Sequence, residues 1–153
     1  MQSLELKIPP PAVTLIMGVL MWLASRATPS LAFELPARNI IAIFLAAVGV
    51  AIAVSGVATF ARARTTVNPT KPEAASSLVV SGVNAFTRNP MYLGNVVVLA
   101  GWAAHLSNGL AFLFLPGFIA YMNRFQIAPE ERALTSLFGS AFVAYQSRVR
   151  RWI

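Results

Sequence analysis

Long apolar stretches separated by short polar ones set the first expectations for this chain. Residues 12–27 form one such run, placed after Pro9-Pro10-Pro11, which cannot continue a helix backwards but suits a helix start. At 1.5 Å per residue the run is short for a hydrocarbon core of roughly 30 Å, so as a span it recruits interfacial residues or thins the bilayer. Residues 39–60 have the length of a full span, with no charge between Arg38 and Arg62. Ala42, Ala46, Gly49, Ala53 and Gly56 recur there every three or four positions, a face on which another helix can approach closely. Tight packing within the chain is the expected use of that face, ahead of a dimer seam.

Two more apolar helices are expected over 91–106 and 110–124, joined as a hairpin by the turn residues Ser107-Asn108-Gly109, with Pro116 kinking the second. Residues 61–90 are the one long polar connection, and loops of that length in a compact domain are usually functional or disordered. Its stretch 77–83 is too short and too β-branched to span, and reads as an ordered loop on the membrane surface. Beyond Pro129 the pattern becomes amphipathic, with Leu134, Leu137, Phe138, Phe142, Tyr145 and Val149 on one stripe. A docked or interfacial helix over 129–150 follows. The fold class is therefore an all-α membrane protein, one domain over 1–153, with about four short transmembrane helices and a C-terminal amphipathic helix.

Composition agrees: 57% of residues are hydrophobic and 11% charged, and the mean hydropathy is +0.66. A soluble fold of 153 residues could not bury that much apolar surface. With no cysteine, disulfides, thiolate metal sites and cysteine nucleophiles are excluded. The net charge of +7 does not call for nucleic acid, because the arginines sit at the edges of apolar runs, where they orient helices. With the N-terminus inside, ten Lys and Arg residues face the cytoplasm, and Arg26 and Arg38 face outward. Both termini and the 61–90 loop are then cytoplasmic. The first run is expected to be retained: Glu5 and a single lysine, Lys7, precede it, and a signal-peptide cleavage site is not convincing. His105 has no second ligand near it, so no metal is expected.

This topology brings two polar clusters to one side. In Arg88-Asn89-Pro90-Met91-Tyr92, Asn89 stands at a helix cap and Pro90 at the first helical position. The free amides of such a start, with Arg88 and the Asn89 amide, can also hold the carboxylate of a small ligand. In Pro129-Glu130-Glu131 the acids suit a first helical turn, and a carboxylate there can accept from ribose hydroxyls or an ammonium group.

The order Leu-Val-x-Ser-Gly-Val (78–83), Arg-Asn-Pro-Met-Tyr-Leu-Gly (88–94), an apolar hairpin, Glu-Glu-x-x-Leu-x-x-x-Phe-Gly (130–139) and Tyr-x-x-x-Val-x-x-Trp (145–152) resembles the isoprenylcysteine carboxyl methyltransferase family and its phospholipid methyltransferase relatives. The resemblance runs from about Pro69 to the C-terminus. It implies a helical membrane enzyme binding S-adenosyl-L-methionine in a pocket closed by the C-terminal segment, with a lipidic or isoprenoid-like acceptor arriving from the bilayer. On the family's pattern the cofactor lies against Ser77, Leu78, Val79, Asn89, Pro90, Met91, Tyr92 and Glu130, with Arg88 and Glu131 as supports. Asn95, Trp102, Tyr121 and Arg124 stand as acceptor-side candidates, and no catalytic base is assigned.

Three departures stand out. Asn89 replaces the histidine of the best-known members and cannot titrate; Asn84 replaces a tyrosine; and Gln126 replaces the arginine that isoprenylcysteine enzymes use for substrate. The last argues against a prenylated protein carboxylate as acceptor. Rival expectations are an NADPH-dependent membrane reductase, for which the chain lacks a Gly-x-Gly-x-x-Gly, and a non-catalytic membrane subunit whose polar clusters are only caps. A small bacterial inner-membrane protein, with its site facing the cytoplasm, fits these features best.

Overall fold

The computed structural model describes residues 5–66, 68 and 72–153. Lys71, with Pro69 and Thr70 of the expected loop, lies outside the described residues. Among the described residues six α-helices carry the fold: α1 (Pro10–Ala27), α2 (Arg38–Arg62), α3 (Pro90–Leu106), α4 (Gly109–Met122), α5 (Ala128–Phe138) and α6 (Ser140–Arg148). No strand occurs among the described residues; Ala32 and Asn108 form a single isolated bridge.

Among the described residues three helical stretches are long and apolar enough to cross a membrane: Pro10–Ala27, Arg38–Arg62 and Gly109–Phe138. The third differs from expectation. Instead of ending near residue 124, α4 passes through a five-residue π-turn, Asn123–Ile127, directly into α5. The expected amphipathic helix over 129–150 is correspondingly two pieces. Gly139, at φ +52°, ends α5 and opens α6, because a left-handed backbone position interrupts the helix and glycine adopts it without a Cβ clash. The remaining apolar helix, α3, has 17 residues. Pro116 lies inside α4 without ending it.

Close approach of backbones, more than side-chain bulk, joins α2 to α3. A Cβ on Gly49 would stand 2.6 Å from the Gly94 carbonyl oxygen, and one on Gly101 would stand 2.9 Å from that of Ala42. Gly56 meets Pro90 and Met91 at the other end, so the two helices run antiparallel. The small-residue face of α2 is thus used for packing within the chain, as expected. Helix α1 lies against α3 and α4, where Val13, Met21, Leu99, Ala103, Ala111, Phe118 and Met122 form the main core. The outward faces of α1 and α2 stay apolar: Leu15, Ile40 and Ile43 are about 70% exposed, as suits lipid.

Polar groups close the ends. Ser107 takes a left-handed conformation, and Asn108 Oδ1 accepts from Leu110 N–H at 2.9 Å while its Nδ2 donates to the Thr28 carbonyl at 2.7 Å. This fixes the α3–α4 hairpin against the end of α1. His105 pairs with Asn39 at 3.0 Å and stacks on Trp102, in keeping with an interfacial histidine. At the opposite end Leu6 N–H donates to the Phe125 carbonyl, Gln126 Nε2 donates to the Ile8 carbonyl, and Glu5 pairs with Arg124 and Arg132. Residues 5–8 are thereby strapped to the π-turn and the start of α5. The Arg124 hydrogen bond, followed by the field of both arginines, holds the Glu5 carboxyl below the usual glutamate range.

Candidate active site

Where α2 ends and α3 and α5 begin, the chain leaves a cavity of about 80 Å³. The polar loop reaches it by hydroxyl anchoring. Ser77 Oγ donates to the Ala63 carbonyl and Ser76 Oγ to that of Arg64, both at 3.2 Å, and Thr65 Oγ1 accepts from Ser76 N–H. These bonds bring the stretch Leu78–Val80 alongside α6, where Leu78 packs on Phe142, Tyr145 and Val149. The expected surface loop is therefore ordered, and its Val79 is buried. A 3₁₀ turn, Gly82–Ala85, follows, and the Tyr145 hydroxyl donates to the Asn84 carbonyl at 2.6 Å. Burial raises the Tyr145 hydroxyl above its usual pKa, with the bond to Asn84 acting the other way.

All ten residues named from the sequence as cofactor candidates, Ser77 through Val79, Arg88 through Tyr92, Glu130 and Glu131, line this one cavity. The start of α3 is built differently from a simple cap. Asn89 stands at the cap position but makes no side-chain cap bond; its Nδ2 donates to the Arg151 carbonyl at 2.9 Å, and Thr87 Oγ1 accepts from Asn89 N–H. The first-turn amides of Met91 and Tyr92 have no carbonyl within the helix to donate to. On the facing side the π-turn delivers Pro129 and both glutamates into the first turn of α5. The Tyr92 hydroxyl donates to Glu130 Oε2 at 2.9 Å and so ties the two helix starts together. Glu131 Oε1 lies 2.9 Å from Arg88 Nη2.

Two buried polar atoms on the cavity wall have no partner among the described residues: Arg88 Nε, a donor, and Asn84 Oδ1, an acceptor. Such groups are costly unless something supplies the missing bonds. Apolar walls come from residues such as Phe60, Ile127, Leu134 and Phe142. The arrangement can therefore receive a small ligand with an anionic end, hydroxyls and an apolar body.

The acceptor-side candidates do not gather here. Trp102 Nε1 donates to the Gly18 carbonyl at 2.9 Å and lines an apolar groove between α1 and α3. Arg124 is held by Glu5, Tyr121 packs on Phe125 with its hydroxyl buried and without a partner among the described residues, and Asn95 is half-buried on α3. Sequence reasoning missed Asn84 and Tyr145 as wall residues, and it missed Arg151. In the sequence Asn84 stands out only as a departure, and Tyr145 only as part of an apolar stripe and of the Tyr-x-x-x-Val-x-x-Trp motif.

A protein-family model described as phospholipid methyltransferase matches residues 37–141, from the start of α2 into α6. The chain is also 44% identical over 63 residues to an uncharacterized protein of Haemophilus influenzae, a stretch covering 41% of this chain and the whole of that protein. No solved structure matches it. With more than half of the chain matched, and with membrane-length apolar helices framing one polar cavity, the protein belongs to the phospholipid methyltransferase family of membrane methyltransferases.

Proposed function

We propose that this protein is an S-adenosyl-L-methionine-dependent methyltransferase acting on a lipidic acceptor that reaches it from the bilayer. The observation that carries the reading is the convergence of the α3 and α5 starts, linked by Tyr92 and Glu130, on a cavity whose wall holds an unpartnered arginine donor. The donor set fits the cofactor: Arg88 and the first-turn amides of α3 for its carboxylate, Asn84 Oδ1 for an N–H donor, and Glu130 for hydroxyls. When bound, the cofactor supplies an activated methyl group on a sulfonium. The chain's part is to orient that group and to keep water from it, by the apolar walls of α5, α6 and the Leu78–Val80 stretch. A lipid acceptor, in place of a prenylated carboxylate, is supported by Gln126, which stands where an arginine would be needed and whose Nε2 donates to the Ile8 carbonyl at 2.7 Å. In this reading the chain is a single membrane domain of four spans, α3 included, in a bacterial inner membrane, and the arginine and lysine distribution supports a site on the cytoplasmic side.

Calorimetric titration of the detergent-purified protein with S-adenosylmethionine, S-adenosylhomocysteine and NADPH tests this. Saturable binding of the adenosyl ligands, weakened roughly tenfold or more in Tyr92→Ala and Glu130→Gln and absent for NADPH, is expected. Folded protein that binds no adenosyl ligand would end the methyltransferase reading and leave the two clusters as helix caps.

A further inference from the structure

Beyond α6 the chain turns back across the start of α3. The Arg150 carbonyl accepts from Arg88 N–H at 3.1 Å, and the Arg151 carbonyl accepts from Asn89 Nδ2 and Thr87 Oγ1. Trp152 Nε1 donates to Asn123 Oδ1 in the π-turn at 3.1 Å. Between these anchors the Arg151 side chain meets Glu131 with two prongs, Nε to Oε1 at 3.1 Å and Nη2 to Oε2 at 2.5 Å. Glu131 Oε1 is also the atom that faces Arg88. One carboxylate thus lies between two guanidinium groups, and Arg88, its side chain only 13% exposed, is left with a free buried Nε on the cavity wall.

A two-residue pair of Arg88 and Glu131 would be neutral, and the carboxylate could then occupy the arginine fork with both oxygens. Arg151 engages both oxygens instead, so the cluster of three carries a formal charge of +1 and Arg88 shares only one Nη with it. We propose that Arg151 is a positioning residue: it restrains Glu131 from fully pairing with Arg88, and so keeps Arg88 free for the carboxylate of the bound ligand. The family match ends at residue 141, so this role rests on the chain's own C-terminal residues. It also rests on reading the cavity as an adenosyl-ligand site.

The test compares S-adenosylhomocysteine with its decarboxylated amine analogue, whose affinity ratio reports on the carboxylate alone. Full-length wild type, Arg151→Gln, Glu131→Gln and the double variant are titrated in detergent. Arg151→Gln should lower the ratio roughly tenfold, the effect of losing one charge-assisted hydrogen bond. The double variant should restore it, because neutralising Glu131 releases Arg88 again. Glu131→Gln alone should match or exceed wild type, and it carries the test if Arg151→Gln does not fold. A purely structural strap would weaken both ligands alike and would not be rescued by a second substitution; that result, a ratio unchanged across all four proteins, or a fall in Glu131→Gln, overturns the proposal. Absence of any adenosyl binding by folded wild type would instead remove the cofactor reading, and this inference with it.

Discussion

Replacing Gly49 by alanine probes the α2–α3 seam and the cavity together. The added methyl would stand 2.6 Å from the Gly94 carbonyl oxygen, 2.8 Å from Val98 Cγ2 and 2.9 Å from Val98 N. An ordinary carbon–oxygen approach is about 3.3 Å or more, so the helices must part by roughly 0.7 Å. A gap of that order forfeits a quarter to a half of the dispersion energy at each affected contact, and overpacking of this kind typically costs about 1–3 kcal/mol. Because two of the three opposing atoms are backbone, no rotamer change relieves the clash, and the upper end of that range applies. Alanine's better helix propensity offsets about 1 kcal/mol, leaving a net loss of ~2 kcal/mol. Gly117 on α4 is the control: nothing lies within 4 Å of a Cβ there, so Gly117→Ala should be neutral or slightly stabilising. For a chain of this size 1 kcal/mol moves Tm by about 2–4 °C, so thermal unfolding in detergent should fall by about 4–8 °C for Gly49→Ala and not for Gly117→Ala. The displaced part of α3 also carries Tyr92, so adenosyl-ligand binding should weaken in the first variant only. Equal melting temperatures for the two variants would refute the close crossing.

Asn108→Ala removes a cap and a buried bond to the Thr28 carbonyl, and should cost about 1–3 kcal/mol, read as a lower Tm in the same assay. Glu5 has a carboxyl pKa held below its unfolded value, so its stabilising contribution is complete above the unfolded value and disappears as pH falls through the folded one. Hydrogen exchange at the Leu6 amide, which donates to Phe125, should accelerate in that acid window beyond the ordinary pH effect, and Glu5→Gln should remove the excess. The chain has no cysteine, so single cysteines carry no background. In intact bacterial spheroplasts, whose exposed surface is the outer face, a cysteine replacing Pro36 should react with an impermeant maleimide, and one replacing Ser76 should react only after the membrane is opened; the reverse pattern would invert the topology.

Periodicity and composition carried most of the helices, because each apolar run is bounded by charges, prolines or turn residues that mark where lipid gives way to water. The small-residue face of α2 was legible for the same reason: three- and four-residue spacing has one geometric meaning on a helix. The cavity-lining residues were reachable because the motifs flank helix starts, which topology then brings to one end. Other features leave little trace in a hydropathy pattern. The π-turn at Asn123–Ile127 has no compositional mark, and Gly139 was hidden by an amphipathic stripe that continues across it. Arg151 was counted as a topological charge, since its pairing with Glu131 joins residues 20 apart through a turn whose path the sequence does not state.

The π-turn has a consequence for how this protein can change over evolutionary time. Each residue of an α-helix advances about 100°, and a π-turn holds one residue more than the α-helical turn it replaces. Deleting a single codon between Asn123 and Ile127 would let the α4–α5 stretch close into uninterrupted α-helix with Glu130 and Glu131 still turned toward Tyr92 and Arg88, whereas deleting one from the α-helical turns of α4 would swing them about 100°. The hydropathy of the span would hardly change, and membrane insertion would proceed as before. The π-turn is therefore the one place in this span where the chain can lose a residue and keep the cavity, and relatives should differ in length there sooner than in the helical turns on either side.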